Sequence, residues 1–215
     1  MRKIFYIFAV VAMALTSCNN NQEFTIEGEI SDTSCDGAQI FLVPLTEPAT
    51  HETVDSVVIK NRHFSFKGNK TRICALRLQM PQRMNFQELL VYTEPGNIKA
   101  FVAQIGSVTG TKNNDLLQVW KTQQESCVQK RKDAYEACDG KMSDPAFQHT
   151  LDSLNTVMAD ATYHLIKTSG LNPLTRFLYS GNKGNLTDEQ KKDLQYMEDD
   201  LQHQLDSIRK ARQAK

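Results

Sequence analysis

Five cysteines and three histidine–aspartate pairs are the residues of this chain best suited to chemistry. A thiolate is a nucleophile and a soft ligand, and a carboxylate one helical turn from an imidazole can share a metal or a proton with it. His149 with Asp152, Asp160 with His164, and Asp200 with His203 have that spacing. Di-metal bundles place Glu-x-x-His pairs in this way and add two carboxylates from facing helices. Here the acid is Asp, the additional Glu ligands are not evident, and the surrounding residues are ordinary surface charges. Solvated helix faces are the expectation. His51 and His63 flank strands in loops and are expected to be exposed. No Ser-centred nucleophile elbow, phosphate loop or zinc-ligand spacing occurs. The expectation is a non-catalytic chain with no catalytic residues, no metal site and no cofactor.

Cys18 carries a different chemistry. It closes Leu15-Thr16-Ser17-Cys18, behind an uncharged and mostly apolar run from Ile4 to Leu15 that follows Arg2 and Lys3. That run is too short to span a bilayer as a helix but fits the apolar region of a secretory leader. Small residues ahead of the cysteine resemble a bacterial lipobox, in which the thiol is acylated and the leader removed. The alternatives are a plain leader cleaved near Ser17 and an uncleaved anchor. Residues 1–17 are read as the leader, and residues 18–23, rich in Asn and Gln, as a polar tether. The tether holds one acid and no acidic run, so it carries no strong signal for display on the outer cell surface. Each methylene inserted into lipid contributes about 0.8 kcal/mol, so stable anchoring needs more than one acyl chain. The expected location is the cell envelope, anchored in the outer membrane and facing the periplasm.

The other thiols invite a test for bridging. Cys127 and Cys138 share a predicted helix, where eleven residues span about 16 Å. A disulfide needs Cα atoms within roughly 7 Å, so these two cannot pair along an unbroken helix. They lie on one face, as small buried side chains do. A Cys35–Cys74 bridge remains open, because the periplasm is oxidising.

Behind the leader, just under 200 residues suffice for one large or two small domains. Basic and acidic residues balance at 25 each with no one-sided segment, which argues against nucleic acid. Mean hydropathy of −0.46 with 40% hydrophobic residues fits a body with a substantial core.

Residues 24–112 alternate in short β-branched or apolar runs separated by turns. Phe24, Ile26 and Ile30 alternate with Thr25, Glu27 and Glu29, and Ser31 to Gly37 reads as a turn. Strands are expected over 38–45, 54–59, 64–66, 73–80, 89–93 and 98–105. A hairpin at Lys60 to His63 and a turn at Glu94-Pro95-Gly96-Asn97 punctuate them. This spacing predicts an antiparallel sandwich or barrel of six to eight strands, with one wet face per sheet.

From residue 113 to 215 the period becomes helical. Asn113 or Asn114 is expected to cap a helix reaching Cys138, where Asp139-Gly140 stops it. Asp144-Pro145 opens the next helix, whose stripe is Phe147, Leu151, Leu154, Met158, Ala161 and Leu165. Asn172-Pro173 opens a short helix, and Thr187 with Gln190 forms a capping box. The last stripe is Leu194, Met197, Leu201, Leu205 and Ile208. Mutual packing into a hairpin or small bundle is the expectation, with Trp120 docking the first helix on the sandwich. The fold class is therefore α+β with segregated halves.

FTIEGEI, GAQIFLVPL, VDSVVIKNRHFSFKGN, LLVYTEPGNIKA and SVTGTKNND occur in that order between residues 24 and 115. The series resembles domain-of-unknown-function family 4369, a β domain of Bacteroidetes envelope lipoproteins. In many members a helical connector and then a thioredoxin-like domain follow. The helical half here resembles that connector, but the chain has no Cys-x-x-Cys. It ends at Lys215, where that domain would begin in those members, and is expected to lack it. The family's redox activity therefore transfers to no residue. An ordered body with no reactive constellation leads to one partner expectation, an envelope protein bound by the sandwich loops or helical surface; the resemblance implies the alternative, a separate thioredoxin-like protein for which this chain is a docking or regulatory subunit. Asp55-Ser56-Val57, Asp152-Ser153-Leu154 and Asp206-Ser207-Ile208 resemble the O-glycosylation sequon of Bacteroidetes envelope proteins. Chance is the competing explanation. Ser56 and Ser207 would be the acceptors if the resemblance is more than chance, with Ser153 expected to be shielded by helix packing.

Overall fold

The computed structural model describes residues 22–78 and 88–213, so the leader, Cys18 and the residues around Met80 lie outside it. Eight strands precede five helices: β1 (Phe24–Ile30), β2 (Gln39–Pro44), β3 (Asp55–Val58), β4 (His63–Gly68), β5 (Ile73–Leu78), β6 (Glu88–Tyr92), β7 (Gly96–Val102) and β8 (Ser107–Thr109). The helices are α1 (Lys112–Ala137), α2 (Pro145–Ser169), α3 (Pro173–Asn182), α4 (Asp188–Asp193) and α5 (Gln195–Gln213). The α+β class with an N-terminal β region is what the sequence period dictates.

The strands form two four-stranded sheets, ordered β4-β1-β7-β8 and β3-β2-β5-β6. All pairings are antiparallel except β1 with β7, which is parallel. The first sheet is thus mixed, because the chain leaves β1 for the second sheet and returns to its free side only at β7. Phe24, Ile26 and Ile30 of β1 face Ile40 and Leu42 of β2 across one apolar core. Period-two alternation leaves Thr25, Glu27 and Glu29 on the opposite, wet face.

Each side of the sandwich is closed differently. At one side β3 runs directly into β4 through a tight turn, so a covalent link joins the two sheets. Asn61 and Arg62 take positive φ of 51° and 68° there, a conformation costly to non-glycine residues. The Asp36 carboxylate offsets that cost by accepting hydrogen bonds from the Asn61 and Arg62 amides at 3.1 and 2.7 Å. At the other side β6 and β8 present free edges, and α1 lies along both. Edge strands need a partner or a cover; here polar side chains of one helix supply it.

Asn114, fully buried, takes the place of a neighbouring strand. The Tyr92 amide donates to its Oδ1 at 2.9 Å, and its Nδ2 donates to the Tyr92 carbonyl at 2.8 Å. One turn on, Gln118 Oε1 accepts from the Val108 amide at 2.9 Å, and Lys121 Nζ donates to the Gly106 carbonyl at 3.1 Å. Neither Asn113 nor Asn114 caps α1, because both face the sheet: Asn113 binds the Glu94 carboxylate at 2.7 and 2.6 Å, while Thr111 occupies the cap position. Trp120 packs into the sandwich core as expected, and its Nε1 also donates to Thr162 of α2 at 2.9 Å.

β5 is buried on both faces. Cys74, Leu76 and Leu78 point to the first sheet, and α3 covers the opposite side, where Leu174 and Leu178 share the core with Ile73 and Tyr92. A second cluster joins α2, α3 and the last two helices through Ile166, Tyr179, Leu186, Leu194 and Met197. The expected caps at Asp144 and Thr187 form. The final helical segment breaks at Leu194 into α4 and α5, and its stripe is buried only at Leu194 and Met197; Leu205 is exposed.

Packing is tight between β1 and β4. The Phe64 ring lies over Gly28, where an added Cβ would sit 1.9 Å from it. Gly28→Ala is expected to cost about 1–3 kcal/mol through forced displacement of that ring, read as a lower urea midpoint with unchanged slope. A Phe64→Leu partner should recover part of the loss.

Arg176 of α3 holds Asp200 of α5 through two bonds, Nε at 2.7 Å and Nη2 at 2.9 Å. Hydrogen bonding to Arg176 keeps the Asp200 carboxyl below its ordinary value of 3.8. A carboxyl depressed on folding contributes stability above its unfolded value and loses it as pH falls through the folded one. Docking of α5 should therefore loosen below about pH 4, seen as faster amide exchange in α5. Asp200→Asn should remove most of that acid dependence.

Candidate functional site

The residues singled out for chemistry do not converge. Cys35 and Cys74 are both free and buried, so the disulfide left open between them is not formed. The reason is strand length. Cys35 binds Ala38 at the start of β2, whereas Cys74 pairs with Pro44 at its end. Six residue steps, from Ala38 to Pro44, separate those points by about 20 Å. Burial pushes the Cys74 thiol up to about 11, against the opposing pull of Arg72, and burial likewise raises Cys35. Neither is poised as a nucleophile. Arg72 is itself committed to Glu47 at 2.6 Å and Asp55 at 3.7 Å. Cys127 is buried on α1, while Cys138 is half-buried at that helix's C-terminal end.

His149, His164 and His203 are exposed. Two of their acids are occupied elsewhere, Asp160 by Gln190 Nε2 at 2.7 Å and Asp200 by Arg176. Among the described residues no group of three or more His, Cys, Asp or Glu is placed to hold a metal. Ser56 is exposed on β3 and Ser207 on α5; Ser153 is exposed too, because the α2 stripe turns it away from α1 rather than shielding it.

What the fold does assemble is a surface. The wet face of the β4-β1-β7-β8 sheet forms an open groove of about 740 Å³. Its floor is the outward-pointing set of each strand: Glu27 and Glu29, His63 and Ser65, Lys99 and Phe101, Ser107 and Thr109. Val57, Val58 and Lys60 border it on the β4 side. Glu27 lies directly across from Lys99 on the parallel neighbour. Arg62 forms an ion pair with Glu29, and the His63 ring bonds through Nδ1 to the Asn61 carbonyl at 2.6 Å. Phe101 is exposed in this polar row.

Hydroxyls, alternating charges and one aromatic face suit non-covalent recognition. Reading the sequence for reactive constellations passes over these residues, since each is an ordinary polar position of a strand. Phe101 was the available signal: an aromatic standing out of phase in Lys99-Ala100-Phe101-Val102, on the side where its neighbours are polar.

A family model described as "Domain of unknown function (DUF4369)" matches residues 24–117. The match covers less than half of the chain, and residues 24–117 are similar to that family. No curated protein and no solved structure matches the chain. The match runs past the expected boundary at residue 112 into the first turns of α1. The matched segment includes Asn114, which binds the β6 edge, and Leu117, which joins the sandwich core, so the start of α1 packs as part of the β unit.

Proposed function

We propose that this chain is a lipid-anchored protein of the cell envelope whose β-sandwich domain is a non-catalytic binding or assembly module. The leader ending in Leu15-Thr16-Ser17-Cys18 supports the address. The reading of the body rests on one observation: the open groove of about 740 Å³ on the wet face of the first sheet, lined by recognition chemistry rather than a nucleophile with its base. Its size falls in the range of ligand-binding clefts, and its openness suits a segment of another protein laid across the strands.

Replacing Phe101 with a photo-crosslinking aromatic tests this. Irradiation in native envelopes should give a discrete adduct that Lys99→Glu suppresses and that the same probe at exposed Val157 does not give. Identical adducts from both positions, or none from position 101, would contradict the assignment.

A further inference from the structure

Side chains of α1 cover the β6 and β8 edges, whereas β3 and β4 each end a sheet with no strand beyond them among the described residues. These two strands begin as a hairpin. The Lys60 amide donates to the His63 carbonyl and the His63 amide to the Lys60 carbonyl, both at 2.9 Å. Pairing stops at that one bridge. Ser56 and Val58 go with Phe41 and Gln39 of the second sheet, while Ser65 and Lys67 go with Glu27 and Thr25 of the first. The hairpin therefore opens into a gap between two unpaired edges.

Alternate residues of an antiparallel strand turn their backbone groups to opposite sides. His63 directs its amide and carbonyl at Lys60, and the Arg62 carbonyl accepts from the Ile30 amide of β1 at 2.8 Å. By that alternation Ser65 and Lys67 present their amides and carbonyls to the gap. Such a row repeats about every 6.8 Å, and an extended chain is what matches it.

Charge selects the chain. Lys60, His63 and Lys67 stand exposed along this edge, and among the described residues neither lysine is in an ion pair. The nearby acids are engaged: Glu29 by Arg62, Asp55 by Arg72 at 3.7 Å, and Asp36 by the Asn61 and Arg62 amides. A second copy is a poor occupant, because antiparallel pairing of two β4 strands about Ser65 sets Lys67 of one opposite His63 of the other.

We propose that the free edge of β4 takes an extended acidic peptide as an added strand. Its acids lie on the side of Lys60 and Lys67, and its intervening residues are apolar and turn toward Val57 and the Phe64–Phe66 pair. Strand addition rests on the reading of this domain as a binding module, and it takes place two strands away from Phe101.

Fluorescence anisotropy of a labelled, blocked heptapeptide of alternating Glu and Val, titrated with the full chain in detergent, should show saturable binding with Kd of about 10–500 µM. Deuterium uptake across His63–Gly68 should slow when it binds. A Lys/Val peptide should bind at least about tenfold more weakly, and a central proline in the Glu/Val peptide should abolish binding. Ser65→Pro removes an edge donor that β1 does not use, so it should abolish binding with an unchanged circular dichroism spectrum. Lys67→Glu, a surface change that leaves the backbone row intact, should weaken binding about fivefold or more. No saturable binding, equal binding of the Lys/Val peptide, indifference to Lys67→Glu, or binding without slower exchange across His63–Gly68 would overturn strand addition. A crosslink at position 101 alongside such a failure would leave the binding-module reading standing; peptide binding at β4 without that crosslink would remove the groove and keep the edge.

Discussion

Trp120→Ala should lower stability by about 3–5 kcal/mol, the cost of emptying a buried aromatic site. Two effects combine at this position. The indole fills the junction where the sandwich core meets α1 and α2, together with Leu117 and Leu165. Its Nε1 is also the donor to Thr162, which is 1% exposed and would lose that partner. Because this is the only tryptophan, urea unfolding has to be followed by far-ultraviolet circular dichroism. Trp120→Phe separates the two effects: it retains most of the packing and should lose about 1–2 kcal/mol. A loss below about 1 kcal/mol for the alanine variant would mean that the helices are not packed on the sandwich.

Asn114→Leu should cost about 1–3 kcal/mol although it adds apolar volume, because the buried Tyr92 amide loses its acceptor, while the Tyr92 carbonyl loses one donor and keeps the Glu94 amide at 2.9 Å. Asn114→Asp is informative beside it. The acceptor for the Tyr92 amide survives, but a carboxylate then faces the Tyr92 carbonyl, from which it can receive no hydrogen bond. Amide exchange at Tyr92 should accelerate in the leucine variant, and the effect should extend into the first turns of α1. Unchanged protection at Tyr92 would show that the edge of β6 is held by something other than this side chain.

These residues also explain what could be read from the sequence and what could not. Strands were legible because Phe24, Ile26 and Ile30 alternate with polar partners, and helices because Asp144-Pro145 and Thr187 to Gln190 announce their own starts. Local chemistry fixes such features. Pairing partners are decided by distant segments, so the parallel contact of β1 with β7 has no local signature. Asn113 and Asn114 mislead for the same reason: a polar residue at a helix start reads as a cap until an unpaired strand edge competes for it. The short β8 escapes notice because three residues carry too little alternation to stand out.

The candidate site was less legible than the fold. Reactive groups are conspicuous in a sequence, but the groove is built from Glu27, Lys99 and Ser107, which resemble any solvent-facing strand residues until strand pairing sets them on one face. The cysteines show the opposite failing. They are conspicuous, yet strand length holds Cys35 and Cys74 apart, and burial quiets both.

An acylated Cys18 is proposed to hold this body at the envelope, and labelling growing cells with a clickable fatty-acid analogue tests that most directly. The parent chain should take up the tag and sediment with membranes, while Cys18→Ala should remain untagged. Equal tagging of parent and variant, or recovery of the untagged parent as a free cytosolic protein, would contradict it.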